Sequence, residues 1–292
     1  MSPLLEMLGL PFLACLMMGG ILAYAGMHVL KREIIFIDIT LAQVAAVGSV
    51  IAQLAFGAHE ETLLSYAVSL ACVLVLAALY ALLRKKAIQL PIEAVIGVSY
   101  AIAAAAAVFL ISLAPTEIHA DEMLAGSLLW IERSDAVFMF AVFVVMGLCF
   151  YLLHKPLLRV SEGYREGLAV GERAAWWDFV FYALVGVVIT TAVRIAGVLV
   201  VFGFLIMPAT VSTMLSSHWG VRLLIAWAVA ALASMAGLVG AYYLDFSVGP
   251  VIALFMGMLL AAVAGLAKLR LMLAPGPTRV EGMSMPCNSK ES

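Results

Sequence analysis

The chain has 292 residues, 65% of them hydrophobic and only 12% charged, with a formal net charge of −2. Mean hydropathy is +1.14. Such a composition excludes an ordinary soluble domain, and a balance so close to neutral gives no grounds for a nucleic-acid partner.

In chain order, apolar stretches predict nine crossings: Leu10–Leu30, Ile34–Phe56, Leu63–Leu83, Ala94–Ala114, Ala136–Leu153, Phe179–Val193, Ile195–Ser216, Leu223–Leu244 and Pro250–Ala267. Runs of ~20 apolar residues match the ~30 Å hydrocarbon core of a bilayer. The first lacks the basic start and small-residue cleavage site of a signal peptide, so it is expected to be a retained helix. The reading is an all-α polytopic membrane protein embedded in lipid. Residues 1–272 form its transmembrane domain, and residues 273–292, polar and aperiodic, form a disordered tail. The ambiguous segment is 179–216. As one helix it would reach ~57 Å, enough for two short crossings or for one crossing plus a re-entrant half-helix. Nine helices is the expectation, with eight as the alternative.

The basic residues choose between these. Lys31/Arg32, Arg84/Lys85/Lys86, Lys155/Arg159/Arg165/Arg173, Arg222, and Lys268/Arg270/Arg279/Lys290 all fall in alternate gaps of the nine-span threading. Only Arg133 and Arg194 fall in the others. Because cytoplasmic loops are enriched in Lys and Arg, the N-terminus is predicted outside and the C-terminus inside. Cys15, Cys72 and Cys149 lie in apolar runs and Cys287 in the tail, without metal or redox spacing, and read as buried small hydrophobes.

Ionisable residues within spans are costly and mark candidate pathways. Asp38, near the start of the second span, shares a helical stripe with Ala42, Ala45, Ser49, Ala52 and Gln53. This small, polar stripe suits either a wet passage or close packing against a neighbour. Gln43 lies ~140° around the same helix. Asp245 follows Tyr242–Tyr243 at the outer end of the eighth span. It is either a first contact for a cation or a solvated helix end. His59-Glu60-Glu61 and His119-Ala-Asp121-Glu122 offer N and O ligands at outer loops but read more simply as solvated. Glu93 and Asp178 are placed at cytoplasmic helix starts, where a carboxylate complements the helix dipole. Arg194 either snorkels or meets an acid, and Pro208 is expected to kink its helix. Gly257, Ala261 and Gly265, like Ala233 and Gly237, recur every four residues and allow close helix approach within the bundle or between subunits.

The cytoplasmic stretch Ser161–Gly171 is predicted to be a short helix capped by Ser161. It is placed on the inner face, with Trp176–Trp177 at the membrane boundary. No phosphate-binding G-x-x-x-x-G-K-[ST] motif or catalytic-triad spacing occurs. The chain therefore reads as a transport subunit, not an enzyme, and ATP-driven transport would need a separate hydrolysing chain.

Several stretches together resemble the membrane permease subunits of bacterial zinc/manganese/iron ABC importers. They are Leu22-Ala-Tyr-Ala-Gly-Met-His-Val-Leu30 with Phe36-Ile-Asp-Ile-Thr-Leu-Ala-Gln43, Glu93-Ala-Val-Ile-Gly97, and Gly126-Ser-Leu-Leu-Trp130 with Arg133-Ser-Asp135. Arg194-Ile-Ala-Gly-Val-Leu-Val-Val201, Ile206-Met-Pro-Ala-Thr210 and Tyr242-Tyr-Leu-Asp245 follow. Their order and spacing carry the resemblance, from Leu10 to Leu266. It implies a type II permease bundle of the vitamin-B12-importer kind, working as a homodimer in the bacterial inner membrane. It also implies a cytoplasmic ABC ATPase, an extracytoplasmic metal-binding protein and alternating access for a divalent metal ion, with no bound cofactor.

Relatives commonly carry Gly-Asp-Ala-Leu-Ser-His-Ala on the second helix. Aligned through Gly48, the His position is Gln43 here and the Asp position is Ile39, with Asp38 one residue earlier; the paired ligand is absent. Metal contacts are expected at Asp38, Gln43 and Asp245, of which Asp245 matches the family's acidic residue near the outer mouth. The resemblance also implies ATPase coupling through Ser161, Glu162, Tyr164, Arg165, Gly167 and Gly171, with Ser161 where an Asp is usual. The alternative is an ATP-independent secondary transporter or channel for a cation, which predicts an inverted repeat that the hydropathy does not show.

Overall fold

The computed structural model describes residues 3–57, 62–85, 91–113, 128–165, 172–244 and 246–273. Ten helices occur among them: α1 (Pro3–Arg32), α2 (Ile37–Phe56), α3 (Leu63–Lys85), α4 (Ile92–Leu113), α5 (Arg133–Leu152), α6 (His154–Arg165), α7 (Glu172–Ala196), α8 (Val198–Leu215), α9 (Trp219–Leu244) and α10 (Val248–Leu273). A 3-10 turn, Leu128–Trp130, precedes α5. All but α6 are long and apolar enough to cross a bilayer, giving nine candidate spans among the described residues. This is the architecture that lipid demands, because each helix satisfies its backbone polar groups internally. The expected all-α bundle is what the chain forms.

The ambiguous segment resolves into two helices that meet at Gly197. Its φ of +78° and ψ of 163° are open only to glycine, and they end α7 at Ala196 and start α8 at Val198. Two departures from the expected boundaries make room for two crossings. α7 begins at Glu172, well before the predicted Phe179, because a helical backbone continues through Glu172, Arg173 and Asp178 although they interrupt the apolar run. It also continues through Arg194, the predicted break. α8 runs through Pro208, with Thr210 Oγ1 donating to the Ile206 carbonyl at 2.8 Å.

The bundle has two packing groups. α8 and α9 pack on α1, on α10 and on each other; α2, α3 and α7 pack on one another, with α4 against α2; and α5 bridges α1 and α7. α1, α7 and α8 are the most enclosed spans, whereas α4 and α10 are peripheral. Close approach rests on glycine at the α1–α8 crossing, where a Cβ on Gly26 would collide with the Leu205 carbonyl. At the α2–α3 crossing a Cβ on Gly48 would lie 2.6 Å from Ser69 Cα. Gly237 likewise admits Ile252 of α10, which accounts for the Ala233/Gly237 pair as bundle packing. Gly257 and Gly265 differ, since a Cβ at either meets nothing within 4 Å. That stripe does not serve packing within the described chain.

Candidate functional site

The helix ends sort into two polar regions. At one end, the end of α1 and the α1–α2 turn meet the first turns of α4, α7 and α9 and the later turns of α6. Phe36 N–H donates to Glu93 Oε1 at 3.3 Å, Lys31 Nζ lies 4.6 Å from the Trp219 ring centroid, and Arg32 Nη1 donates to Asp178 Oδ1 at 2.6 Å. This is the end to which the sequence assigns Lys31, Arg32, Lys155, Arg159 and Arg222. At the other end the start of α3 meets the end of α7. There Tyr66 hydrogen-bonds Thr191 at 3.0 Å, and the Arg194 guanidinium lies 5.6 Å from the Tyr66 ring centroid. An aromatic face thus meets Arg194 there.

α6 is not the helix the sequence predicts. It starts at His154, directly after α5, so Ser161 lies inside it and not at its N-cap. Pro156 is tolerated because the first turn has no backbone acceptor for an N–H in any case. Ser161 is fully buried, and its hydroxyl donates back to the Leu157 carbonyl at 2.8 Å. It accepts from Arg32 Nε at 2.9 Å and lies 3.0 Å from His28 Nδ1. A hydroxyl has one proton and two lone pairs. With the proton on Leu157 and one lone pair taken by Arg32, His28 must donate from Nδ1. The His28 ring is enclosed by Tyr24, Phe181 and Trp219, with centroids 5.0, 5.8 and 5.1 Å away.

Arg32 is the hub. Its guanidinium joins Ser161 of α6 and Asp178 of α7 while lying 4.1 Å from the Phe181 ring centroid. Both charged side chains of the Arg32–Asp178 pair are almost wholly buried. The burial that makes such a pair expensive to form also makes it expensive to break, at ~3–5 kcal/mol when one partner is removed. Lys31–Glu162, at 3.1 Å, is the solvated counterpart on the rim. Asp178 therefore does more than complement a helix dipole, and it lies in the second turn of α7 and not at its first residues. The signal available in the sequence was His28 and Arg32, one helical turn apart on the last turns of α1. A sequence offers no partner for them, because Ser161 and Asp178 are more than a hundred residues away.

Asp38 is also buried, near the start of α2. Its Oδ1 accepts from Ile39 N–H at 2.8 Å, and Oδ2 has no hydrogen-bond partner among the described residues. Ala42, Ala45 and Ala52 of its stripe are buried, and Ser49 hydrogen-bonds Ser65 of α3 at 3.0 Å, so the stripe's far end packs on a neighbour. Gln43 is half-buried on another face, and among the described residues no hydrogen bond joins it to Asp38. Among the described residues no three His, Cys, Asp or Glu side chains are grouped to hold a metal ion. Asp245, Gly167, Gly171, both outer His/acid clusters and residues 274–292 lie outside the described residues; Tyr164 and Arg165 are described only as backbone in the last turn of α6.

A profile of the ABC 3 transport family matches residues 5–266. The chain belongs to that family. This permease is 27% identical over 237 residues to a probable iron transport system membrane protein of Haemophilus influenzae, covering 80% of each chain. It is 26% identical over 177 residues to the chelated iron transport system membrane protein YfeC of Yersinia pestis, covering 61% of this chain and 60% of that one. It is 27% identical over 162 residues to the manganese import system permease protein ScaB of Streptococcus parasanguinis, covering 56% and 58%. Its fold is that of a chain in PsaBC from Streptococcus pneumoniae in complex with Fab, with a TM-score of 0.72, 17% identity and coverage of 88% and 91%. An inward-facing metal-chelate type ABC transporter is similar in fold, with a TM-score of 0.66, 18% identity and coverage of 92% and 90%.

Proposed function

We propose that this permease carries a divalent metal ion inward by alternating access, as a homodimer in a bacterial inner membrane. A separate ABC ATPase drives it and an extracytoplasmic metal-binding protein supplies it. The observation that carries the reading is the family match across residues 5–266, with relatives whose names specify iron and manganese transport. Membership of an ABC transport family also favours an ATP-driven cycle over the secondary transporter. The positive-inside rule assigns the basic end to the cytoplasm. On that assignment α6, with exposed Glu162, is the element offered to the ATPase, and Tyr164, Arg165, Gly167 and Gly171 join it as coupling residues by sequence position. Asp245 receives the ion at the outer mouth, and Asp38 and Gln43 offer oxygens further in. Sparse oxygen ligation suits passage, since an ion held too firmly would not leave.

The test is uptake of radioactive iron, manganese and zinc by cells expressing the permease with its ATPase and its metal-binding protein. Asp38→Asn and Asp245→Asn at normal membrane abundance are each expected to lower uptake about tenfold, equivalent to ~1.4 kcal/mol of lost ion stabilisation. Wild-type uptake in either variant removes that residue from the pathway. A complex that moves none of the three metals removes the reading.

A further inference from the structure

The geometry points to His28, Arg32, Ser161 and Asp178 as a buried joint that transmits displacement of α6 into the two central helices α1 and α7. The inference rests on the proposed ATP-driven cycle and assigns positioning roles to His28, Arg32 and Asp178.

α6 meets the bundle mainly through α1, with smaller contacts to α7 and α5. Its fully buried side chains among the described residues are Leu157 and Ser161, one turn apart on the same face. Leu157 packs without direction and can slide. Ser161 cannot, because its hydroxyl is committed to Leu157, Arg32 and His28 at 2.8–3.0 Å. Arg32 holds Ser161 through Nε and Asp178 through Nη1, so a single planar guanidinium ties three helices together. The Phe181 ring against Arg32, and the Trp219 ring against both His28 and Lys31, close the joint to water. Moving α6 away from the bundle must therefore either strip charge-assisted bonds in a dry site or draw α1 and α7 along. α1 and α7 are among the most enclosed spans, and α7 leads through Gly197 into α8, so movement of this pair reaches both packing groups. Lys31–Glu162 lies outside the seal and is too solvated to share the load.

The test reconstitutes the permease with its ATPase in liposomes, supplies the metal-loaded binding protein at the extracytoplasmic face, and measures manganese, iron and zinc uptake beside ATP hydrolysis. Ser161→Ala leaves the Arg32–Asp178 pair in place and cuts the link to α6. Metal moved per ATP is expected to fall about tenfold, the loss of one hydrogen bond to a charged group, while ATPase binding and basal hydrolysis persist. Ser161→Thr, which keeps the hydroxyl, is expected to retain coupling. An unchanged ratio of metal to ATP in Ser161→Ala, with the unaltered complex active, overturns the joint and leaves the importer reading standing. An unaltered complex that hydrolyses ATP without moving metal overturns the importer reading itself, and the joint with it.

Discussion

Arg32 shows how one side chain acquires different meanings from its surroundings. Beside Lys31 in the sequence it is half of a basic pair that orients a helix; in the fold it is buried and Lys31 is not. Low dielectric makes the Arg32–Asp178 pair costly to break from one side only. Arg32→Met alone and Asp178→Leu alone are each expected to destabilise the detergent-purified protein by ~3–5 kcal/mol, and the double substitution by much less, because it leaves no orphaned charge. Thermal unfolding of the three variants measures this. Lys31→Met is expected to cost under ~1 kcal/mol, since Glu162 is more than half exposed.

Among elements, the α7–α8 junction and the outer face of α10 make opposite demands on glycine. Gly197 occupies backbone space that an L side chain avoids, so Gly197→Ala is expected to destabilise by ~1–3 kcal/mol. Gly257 sits mid-helix with open space around its missing Cβ, and Gly257→Ala is expected to stabilise the isolated subunit by ~0.5–1 kcal/mol through reduced chain entropy. Melting curves of both variants against wild type decide the signs. α6 adds a different lesson. Hydrogen-bonding side chains such as Ser161 favour helix starts, but a serine inside a helix can bond one turn back, as Ser161 does to Leu157. Burial against α1 settled which role it took.

For the whole molecule, the fold gathers the α1–α2 turn, α6 and the starts of α4, α7 and α9 at one end, as the alternating basic gaps require. Single cysteines at Ser217 and Ser134, both exposed, report on opposite ends in a background with the four native cysteines replaced. A membrane-impermeant maleimide is expected to label Ser134→Cys in intact cells and Ser217→Cys only in inside-out vesicles. Labelling of Ser217→Cys from outside would invert the orientation and move α6 away from any cytoplasmic ATPase.

Hydropathy and charge were enough to predict nine spans, their order and the clustering of their basic ends, because lipid imposes apolar length on each helix separately. They also singled out Asp38, since an ionisable group in an apolar run is conspicuous in any arrangement; its burial came only with the fold. The helix neighbours were not readable, nor were the Arg32–Asp178 pair and the place of Ser161. Lipid tails are as apolar as leucine, so the faces that pack on protein and the faces that meet lipid carry nearly the same residues. Only folding brings α1, α6 and α7 together, across separations of more than a hundred residues, and turns four unremarkable side chains into one closed polar joint.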